Sequence, residues 1–452
     1  MFLPAFYRGR LNKLPKVAVD AADFRIIMST RAFKTRLLEL IQSATRRIYI
    51  TALYLEADAA GEEILRALFE AKQANPQLDV KIFVDFHRAQ RGRIGEIAAQ
   101  TNRDFYQRIT AEYEHAIDIF GVPVNAREIF GVLHLKGFIF DETVLYSGAS
   151  INDVYLHQGE RYRYDRYHEI FSPALSDSFV QFIDNHFCGY AAVQILNGAL
   201  DRETLLSRKE LKPKIRQFRK SMRKATYRFS PEDAGEAIGL TPLCGVGTRG
   251  NRLNRIIQDL ILSTAHELFI CTPYFNLPGT LARAIGLLLR RGVKVTIVVG
   301  DKTANDFYIP PGEPFSKIGG LPYLYEHNLR QFAHKYRKAI DKEQLNLMLW
   351  EDGNNSYHLK GLFVDDHYAM ITGSNLNPRA WGLDLENAIL IQDKGQLLHE
   401  AFQEERREIL SRATRIRSYS ELETMGDYPE VVQRLLGRIH RLKAHVLIKK
   451  II

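Results

Sequence analysis

Short apolar runs that suit buried strands alternate with segments of helical period, and this pattern occurs twice along the chain. Each half contains a strand, a helix and a second strand, over 47–54, 61–74 and 80–85 in the first half and over 268–275, 279–291 and 293–299 in the second. Strands that are apolar on both faces and alternate with helices are typical of parallel sheets covered by helices. The pattern predicts the α/β class, with two similar α/β/α domains, each built on a mainly parallel sheet.

A basic segment separates the two halves. Residues 208–228 contain ten Lys or Arg against one acid, Glu210. Pro213 and the Phe-Ser-Pro-Glu sequence at 229–232 disfavour regular structure there. The segment is either a solvated helix face or a contact for anionic lipid or nucleic acid. The predicted parts of the chain are 1–228, 229–405 and a C-terminal part of basic amphipathic helices, 406–452.

The two termini are candidates for contact with a membrane. Residues 434–452 contain six Lys or Arg and no acid, interleaved with apolar residues at three- and four-residue steps. Such a helix can lie in the membrane interface, because apolar burial and charge attraction to acidic lipid act together. The alternative is a helix docked on the protein's own core. The N-terminal segment is a weaker candidate, with Phe2, Leu3, Phe6 and Tyr7 among basic residues.

Composition narrows the class of partner. The chain has 452 residues, 46% of them hydrophobic, so it can bury a large core. Its net charge of +9 favours an anionic partner: nucleic acid, a nucleotide or an acidic membrane surface. Cys188, Cys244 and Cys271 lie far apart, as is typical of reduced cysteines in a cytosolic protein. Neither a transmembrane run of about 18 apolar residues nor a signal peptide is predicted.

One polar motif is duplicated. His-Leu-Lys-Gly occurs at 134–137 and again at 358–361, and an aspartate follows each histidine by seven positions, Asp141 and Asp365. Each copy continues into a run of small residues that ends in an asparagine, Asn152 and Asn377. A matched pair of this kind arises by chance in on the order of one chain in thousands. The duplication predicts one active site built from both halves.

Residue spacing indicates the chemistry. Residues two apart on a strand share a face, so His134 lies beside Lys136, and His358 beside Lys360. One imidazole can attack phosphorus while the other moves the proton, and the lysines can neutralise the phosphoryl oxygens. The two asparagines can bond those oxygens or hold the loops. No metal-ligand spacing occurs, so we expect no metal and no cofactor.

Other acids have less defined roles. Asp141 and Asp365 differ in parity from the histidines, so an unbroken strand would point them away from the site. They are candidates for catalysis or for bracing the loop. Glu386 is the first candidate to orient an imidazole, followed by Asp165 or Glu169.

These residues resemble the phospholipase D superfamily, whose signature is a pair of His-x-Lys-x4-Asp units with downstream Gly, Ser and Asn. Further segments, 52–56, 85–95, 147–156, 300–310 and 377–381, are similar to the phosphatidylserine synthases of Gram-negative bacteria within it. The resemblance covers the chain from about residue 20 to the basic tail. It implies two domains about a pseudo-twofold axis and transfer of a phosphatidyl group from CDP-diacylglycerol to L-serine. It also implies a phosphohistidine intermediate and release of CMP.

The two copies are not equivalent. Ser150 lies near the position where the second half has Asn375, which departs from the usual Gly-Ser-x-Asn of the superfamily. By analogy with the superfamily, His134 is the nucleophile and His358 is the general acid and later the base.

Two loops after apolar strands are candidates for substrate binding, because loops at the carboxyl ends of parallel strands commonly bind ligands. The first supplies Arg88, Arg91 and Arg93, and the second supplies Lys302, Asn305 and Asp306. The alternative is a set of solvated loop residues.

Several functions compete. Within the superfamily the rivals are a phospholipase or a cardiolipin-synthase-like transferase and, less favoured, a nuclease; non-specific polyanion binding would also suit the charge. A non-enzymatic membrane- or ribosome-binding protein is disfavoured by the intact motifs. The expected location is the cytoplasm, with peripheral attachment to the inner membrane through the basic termini.

Overall fold

The computed structural model describes residues 2–92, 100–198, 206–235, 237–310 and 312–441. The helices are α1 (Phe2–Asn12), α2 (Thr30–Ser43), α3 (Ala59–Ala74), α4 (Phe86–Ala89), α5 (Asn102–Thr110), α6 (Pro173–His186), α7 (Arg208–Met222), α8 (Arg252–Ser263), α9 (Gly279–Arg290), α10 (Leu321–Lys335), α11 (Arg337–Asp341), α12 (Pro378–Gly382), α13 (His399–Ser411) and α14 (Glu430–Arg441).

The strands are short, and most of their residues are buried. They are β1 (Val17–Val19), β2 (Phe24–Ile27), β3 (Arg47–Thr51), β4 (Asp79–Asp85), β5 (Asp118–Val122), β6 (Leu133–His134), β7 (Phe138–Phe140), β8 (Thr143–Ser147), β9 (Arg163–Tyr164), β10 (Tyr167–Phe171), β11 (Gln194–Ile195), β12 (Ile238–Val246), β13 (Glu267–Cys271), β14 (Lys294–Gly300), β15 (Leu345–Trp350), β16 (Ser356–Tyr357), β17 (Gly361–Val364), β18 (Tyr368–Thr372), β19 (Leu385–Gln392) and β20 (Ala413–Ile416).

The two halves repeat one sheet. In the described chain the first sheet has the order β11-β5-β4-β3-β7-β8-β10-β2, and the second has β1-β12-β19-β18-β17-β13-β14-β15-β20. In both, the two βα crossovers give three parallel strands, and the strands that follow the His-Leu-Lys-Gly motif are antiparallel. The mixed α/β class is confirmed.

The expectation of mainly parallel sheets was wrong. Both sheets are mixed, with parallel pairing along the β3-β4-β5 and β13-β14-β15 rows and antiparallel pairing over most of the remainder. The physical reason is the connection after each motif: β7 and β8, like β17 and β18, are joined by a turn too short for a crossover. Apolarity on both faces indicated burial and not strand direction.

The ends of the chain join the second half. β1 pairs with β12, Leu11 of α1 is buried in the core of the second half, and β20 pairs with β15 at the far edge of that sheet. These contacts differ from the predicted assignment of 1–228 to the first domain and from the purely helical 406–452. The three-part division remains a prediction.

The basic segment between the halves is helical. α7 runs through Pro213, contrary to the expectation that this proline limits regular structure. The Ser207 and Glu210 side chains cap its first turn, and its apolar face buries Leu211, Ile215, Phe218 and Met222. Capping and packing together outweigh the single hydrogen bond that a proline removes.

The described part of the C-terminal helix lies on the protein. Val432 and Leu436 of α14 are buried against Tyr323, Leu324 and Tyr428. This packing agrees with the alternative in which the helix docks on the protein's own core. Residues 442–452 of the predicted amphipathic tail lie outside the described residues. Over the part of the chain that is described, none of the helices has the length and apolarity to span a bilayer.

Candidate active site

Two short parallel strand pairs join the halves. β6 lies beside β19, which places His134 opposite Glu386. β9 lies beside β16, and the backbone N–H of His358 donates to the carbonyl of Tyr164 at 2.8 Å. Each motif histidine is therefore held against a strand from the other half.

His134 contacts a carboxylate of the second half. Its Nδ1 lies 2.9 and 3.0 Å from the two carboxylate oxygens of Glu386, and both side chains are buried. The carboxylate of Asp85 accepts from the backbone N–H of Leu133, which fixes the neighbouring backbone. Among the candidates to orient an imidazole, Glu386 is placed to do so.

His358 contacts a carboxylate of the first half. Its Nδ1 lies 3.2 Å from Asp165 Oδ2, and Lys360 Nζ donates to the same oxygen at 2.9 Å and also contacts Nδ1. The Tyr155 hydroxyl lies 2.8 Å from Nδ1. Glu169, the other candidate, pairs instead with Arg36 at 2.7 Å.

The two carboxylates occupy matching positions. Tyr167 pairs with Ser147 in the first sheet, and Ala388 pairs with Thr372 in the second. Asp165 lies two residues before Tyr167, and Glu386 lies two residues before Ala388. We call this arrangement a crossed pair, because the histidine of each half contacts a carboxylate that the other half supplies.

The motif lysines are buried at the junction of the halves. Lys136 Nζ donates to the carbonyl of Ala149 at 3.2 Å and to Ser150 Oγ at 3.1 Å. Ser150, the residue that departs from the superfamily pattern, is thus a partner of the first lysine.

Two glycines make room for these lysines. A Cβ on Gly373 would lie 2.7 Å from Lys136 Cγ, and one on Gly148 would lie 2.8 Å from Lys360 Nζ. Each lysine side chain thus packs against the glycine of the other half. A larger residue at Gly148 or Gly373 would clash with that lysine.

Electrostatics distinguishes the two carboxylates that contact the histidines. Burial lowers the pKa of His134 and raises that of Glu386 to about 8. Burial and the charge of Lys360 lower the pKa of His358 to about 3. Burial acts to raise the pKa of Asp165, but the charge of Lys360 and the hydrogen bond with His358 hold it at about 2. The Glu386 side therefore retains a proton at neutral pH, whereas Asp165 is ionised.

The lysines also have shifted proton affinity. Burial, together with repulsion from Lys360, lowers the pKa of Lys136 to about 7, and burial lowers that of Lys360. An arriving phosphate would favour the charged form of both.

The two asparagines hold loops. Asn152 Oδ1 accepts from the backbone N–H of Tyr155, and Asn377 Oδ1 caps α12 by accepting from Ala380. Both are buried. Of the two roles considered for them, loop support is the one their contacts show.

The motif aspartates lie in the hairpin turns. Asp141 accepts from the backbone N–H groups of Thr45, Arg46 and Arg47 at 2.8–3.0 Å. Asp365 accepts in the same way from residues 265–267 and pairs with Arg8. The structure does not bring either carboxylate to the imidazoles, so their inclusion among the catalytic candidates is corrected. The parity argument assumed an unbroken strand and does not apply, because the chain leaves the strand between each histidine and its aspartate.

The first substrate loop begins beside the His134 strand, because Asp85 caps α4 and also accepts from the backbone N–H of Leu133. Arg88 is buried over the Tyr54 ring, 4.5 Å from its centroid, and Arg91 makes a paired contact with Glu128 at 2.6 and 2.8 Å. Arg93 lies outside the described residues.

The three residues of the second substrate loop have different partners. Lys302 pairs with Glu326 and Glu423 and contacts neither histidine in the described contacts. Asn305 Oδ1 accepts from the backbone N–H of Phe307 within the loop. Asp306 pairs with Arg163 and accepts from Tyr274, whose ring lies beside His358.

Sequence reasoning missed three residues of the site. Asn387 accepts from the backbone N–H of Lys136 and donates to its carbonyl. Tyr155 and Arg163 reach the His358 side. Asn387 directly follows Glu386, and that adjacency was an available signal; nothing local marked the other two.

The chain is similar in sequence to known phosphatidyltransferases. The family described as "Cardiolipin synthase, PLD-like domain" matches residues 257–409. CDP-diacylglycerol–serine O-phosphatidyltransferase of Haemophilus influenzae is 48% identical over 447 residues, covering 98% of this chain and 97% of that protein. The Escherichia coli K12 protein of the same name is 47% identical over 451 residues, covering 99% and 98%.

A solved structure agrees. The crystal structure of phosphatidylserine synthase from Haemophilus influenzae Rd KW20 has 46% sequence identity and a TM-score of 0.94, and the match covers 99% of this chain and 100% of that one. The resemblance inferred from the motifs is confirmed. The chain belongs to the CDP-diacylglycerol–serine O-phosphatidyltransferase family of the phospholipase D superfamily.

Proposed function

We propose that this protein transfers the phosphatidyl group of CDP-diacylglycerol to L-serine and releases CMP. The observation that carries the proposal is the crossed pair: two His–Lys units from different halves, each histidine against a carboxylate of the other. This geometry supplies a nucleophile, a base and two cations around one phosphoryl group.

We assign His134 as the nucleophile. When Glu386 is ionised, its carboxylate accepts Nδ1–H of His134, and Nε2 keeps a free lone pair that can attack phosphorus. A P–N bond forms, the P–O bond to CMP breaks, and CMP leaves with that electron pair. Lys136 and Lys360 neutralise the non-bridging oxygens as charge builds up.

We assign His358 as the base for the second step. CMP leaves as a phosphate whose second pKa is near 6, so it needs little protonation, whereas the serine hydroxyl must lose its proton. The imidazole of His358 is neutral before the step, and the Asp165 carboxylate beside Nδ1 would stabilise the imidazolium that forms when the ring takes that proton. The serine oxygen then displaces His134 from phosphorus.

Burial supports transfer over hydrolysis. His134, His358 and both motif lysines are buried, so water reaches the intermediate poorly. We further propose that Arg88 and Arg91, beside the His134 strand, contact the nucleotide phosphates of the donor.

The decisive assay is CMP release from CDP-diacylglycerol in mixed micelles, with and without L-serine, with identification of the lipid product. We expect release that depends on serine, and phosphatidylserine as the product. Because the family match also bears a cardiolipin synthase description, phosphatidylglycerol serves as a second acceptor. Serine-independent hydrolysis of phospholipid or DNA without CMP would overturn the proposal.

We also propose peripheral attachment to the cytoplasmic face of the inner membrane. α1 exposes Leu3 (39%) and Phe6 (60%), with Arg10 near Phe6, which is a surface suited to acidic lipid. The basic residues 442–452 would add charge. The fraction of protein that sediments with acidic vesicles should fall for a Leu3→Ser/Phe6→Ser variant that lacks residues 442–452. It should also fall for the unmodified protein at high salt. Unchanged binding would exclude these segments as anchors.

A further inference from the structure

An ion pair lies one side chain away from His358. Arg163 Nε donates to Asp306 Oδ1 at 2.9 Å, and its second terminal nitrogen lies 2.7 Å from the same oxygen. The pair is largely enclosed, with side-chain exposures of 15% and 12%. Its members come from different halves, at the same junction as the crossed carboxylates.

Aromatic side chains connect this pair to the imidazole. The guanidinium lies 4.4 Å from the centroid of the Tyr155 ring, and that ring lies 5.4 Å from the His358 ring. Tyr274 donates to Asp306 at 3.2 Å and also packs edge-on against His358, and Arg163 donates to Tyr54 at 3.3 Å. The pair is thus walled on several sides and lies within about 10 Å of the imidazole.

The acceptor amino acid has matching chemistry. L-serine carries a carboxylate and an ammonium on one carbon, and its reacting hydroxyl is one carbon away. A guanidinium binds the first group and a carboxylate binds the second. Exchanging an internal ion pair for contacts to a zwitterion buries no net charge, which keeps the desolvation cost low. The distance to His358 suits a small amino acid hydrogen-bonded at both ends.

The other half has a different arginine–aspartate pair at the matching position. At the sheet position that matches Arg163, two residues before the carboxylate, the second half has Asp384, which accepts from the backbone N–H of Val132 and pairs with Arg379. Both sides of the site thus carry an arginine–aspartate pair, but the two differ in their surroundings. The pair beside His358 is packed among Tyr54, Tyr155 and Tyr274, whereas Asp384 is bound to the backbone beside His134.

We propose that Arg163 and Asp306 form the serine-binding site, with Arg163 binding the carboxylate and Asp306 the ammonium of the amino acid. The proposal rests on the phosphatidyltransferase function. Bound in this way, serine directs its hydroxyl to His358, which takes the proton. The new P–O bond forms as the P–N bond to His134 breaks, and the released electron pair returns to His134.

The test compares acceptors that lack one charge. CMP release is measured with L-serine, with ethanolamine, which lacks the carboxylate, and with 3-hydroxypropanoate, which lacks the ammonium. The unmodified enzyme should prefer serine over each by at least about 100-fold, because a site built for a polar group rejects the analogue without it. Asp306→Asn should reduce the preference over 3-hydroxypropanoate by about 10- to 100-fold and leave the preference over ethanolamine.

The second variant should show the reverse. Arg163→Gln should reduce the preference over ethanolamine and leave that over 3-hydroxypropanoate. Asp352→Asn is the matched control, because Asp352 also lies between an arginine and a tyrosine, Arg412 and Tyr162, next to the same strand. It should change neither ratio. A merely structural ion pair would lower activity with all acceptors equally, and equal losses in the two variants would overturn the proposal.

The unmodified enzyme gives an independent answer if a variant does not fold. Use of ethanolamine or 3-hydroxypropanoate within about threefold of serine would overturn the paired site, and strong rejection of both would support it. Failure of the broader function is distinguishable, since the unmodified enzyme would then release no CMP with serine at all.

Discussion

Replacing Glu386 with Gln should make the protein less active and, at alkaline pH, more stable. The carboxylate lies 2.9 Å from His134 Nδ1 in a buried setting, so the amide removes the charged acceptor without changing the shape. Loss of a charged hydrogen bond costs about 1.5–3 kcal/mol, so kcat should fall by about 10- to 100-fold.

The stability change follows from proton linkage. The pKa of Glu386 is 4.5 unfolded and about 8 folded, so the folded protein binds this proton more tightly. Between those pH values stability falls as pH rises, by about 1.36 kcal/mol for each pH unit, to a total of roughly 5 kcal/mol. Glutamine does not titrate, so the variant lacks this loss.

The assay is thermal unfolding of both proteins from pH 5 to 9. The Tm of Glu386→Gln minus that of the unmodified protein should rise through this range and level off above pH 8. The pH profile of kcat/KM adds a second measurement, because the free lone pair of His134 requires an ionised Glu386. The ascending limb near pH 8 should disappear in the variant.

The matching position in the other half gives the control. Asp165 has its pKa lowered from 3.8 to about 2, so its charged form stabilises the fold above pH 3.8, and this contribution is lost as pH falls through 2. Asp165→Asn should therefore destabilise the protein at neutral pH, by roughly 2 kcal/mol. If the two variants change stability with the same sign at pH 8, our account of the pair is wrong.

Three further predictions concern other parts of the molecule. Asp141→Ala should cost about 1–3 kcal/mol of stability by leaving backbone N–H groups unpaired, while kcat per folded molecule stays near that of the unmodified protein; a large loss of kcat with an unchanged Tm would return this aspartate to catalysis. Leu436→Ala should cost about 2–4 kcal/mol and loosen α14, seen as faster proteolysis after residue 429; equal proteolysis would contradict docking of that helix. Binding of CDP near pH 7.5 should take up protons, because phosphate raises the pKa of Lys136 from about 7. The calorimetric enthalpy of binding should therefore depend on the buffer, and Lys136→Met should remove most of that dependence.

Sequence reasoning identified the repeat and the motif residues, and it named Glu386 as the first candidate to orient an imidazole. It found His134, Lys136 and their second copies through the duplication of the motif, which is a local property of the chain. The strand argument does not apply to them, because β6 ends at His134 and Lys136 lies outside it. Asp141 lies in the turn after β7, on the far side of that break in the strand.

The remainder depends on contacts between distant residues. Pairing of β1 with β12 joins positions more than 200 residues apart, and no periodicity within β1 indicates it. Asp165 directly follows β9, whose pairing with β16 brings it to His358, whereas Glu169 lies in β10 between β2 and β8 and pairs with Arg36. Strand direction was mistaken because burial on both faces is common to parallel and antiparallel strands in a covered sheet.

The crossed carboxylates also determine when the protein becomes reactive. Synthesis of the first half yields His134 without Glu386, which is added 252 residues later and is useful only after β19 pairs with β6. A nascent chain therefore cannot assemble this pair until β19 has been synthesised and has paired with β6. In a symmetric dimer of single halves, both carboxylates would be the same residue. Because one chain supplies both halves, one carboxylate is Glu and the other is Asp, and the two have unequal proton affinities.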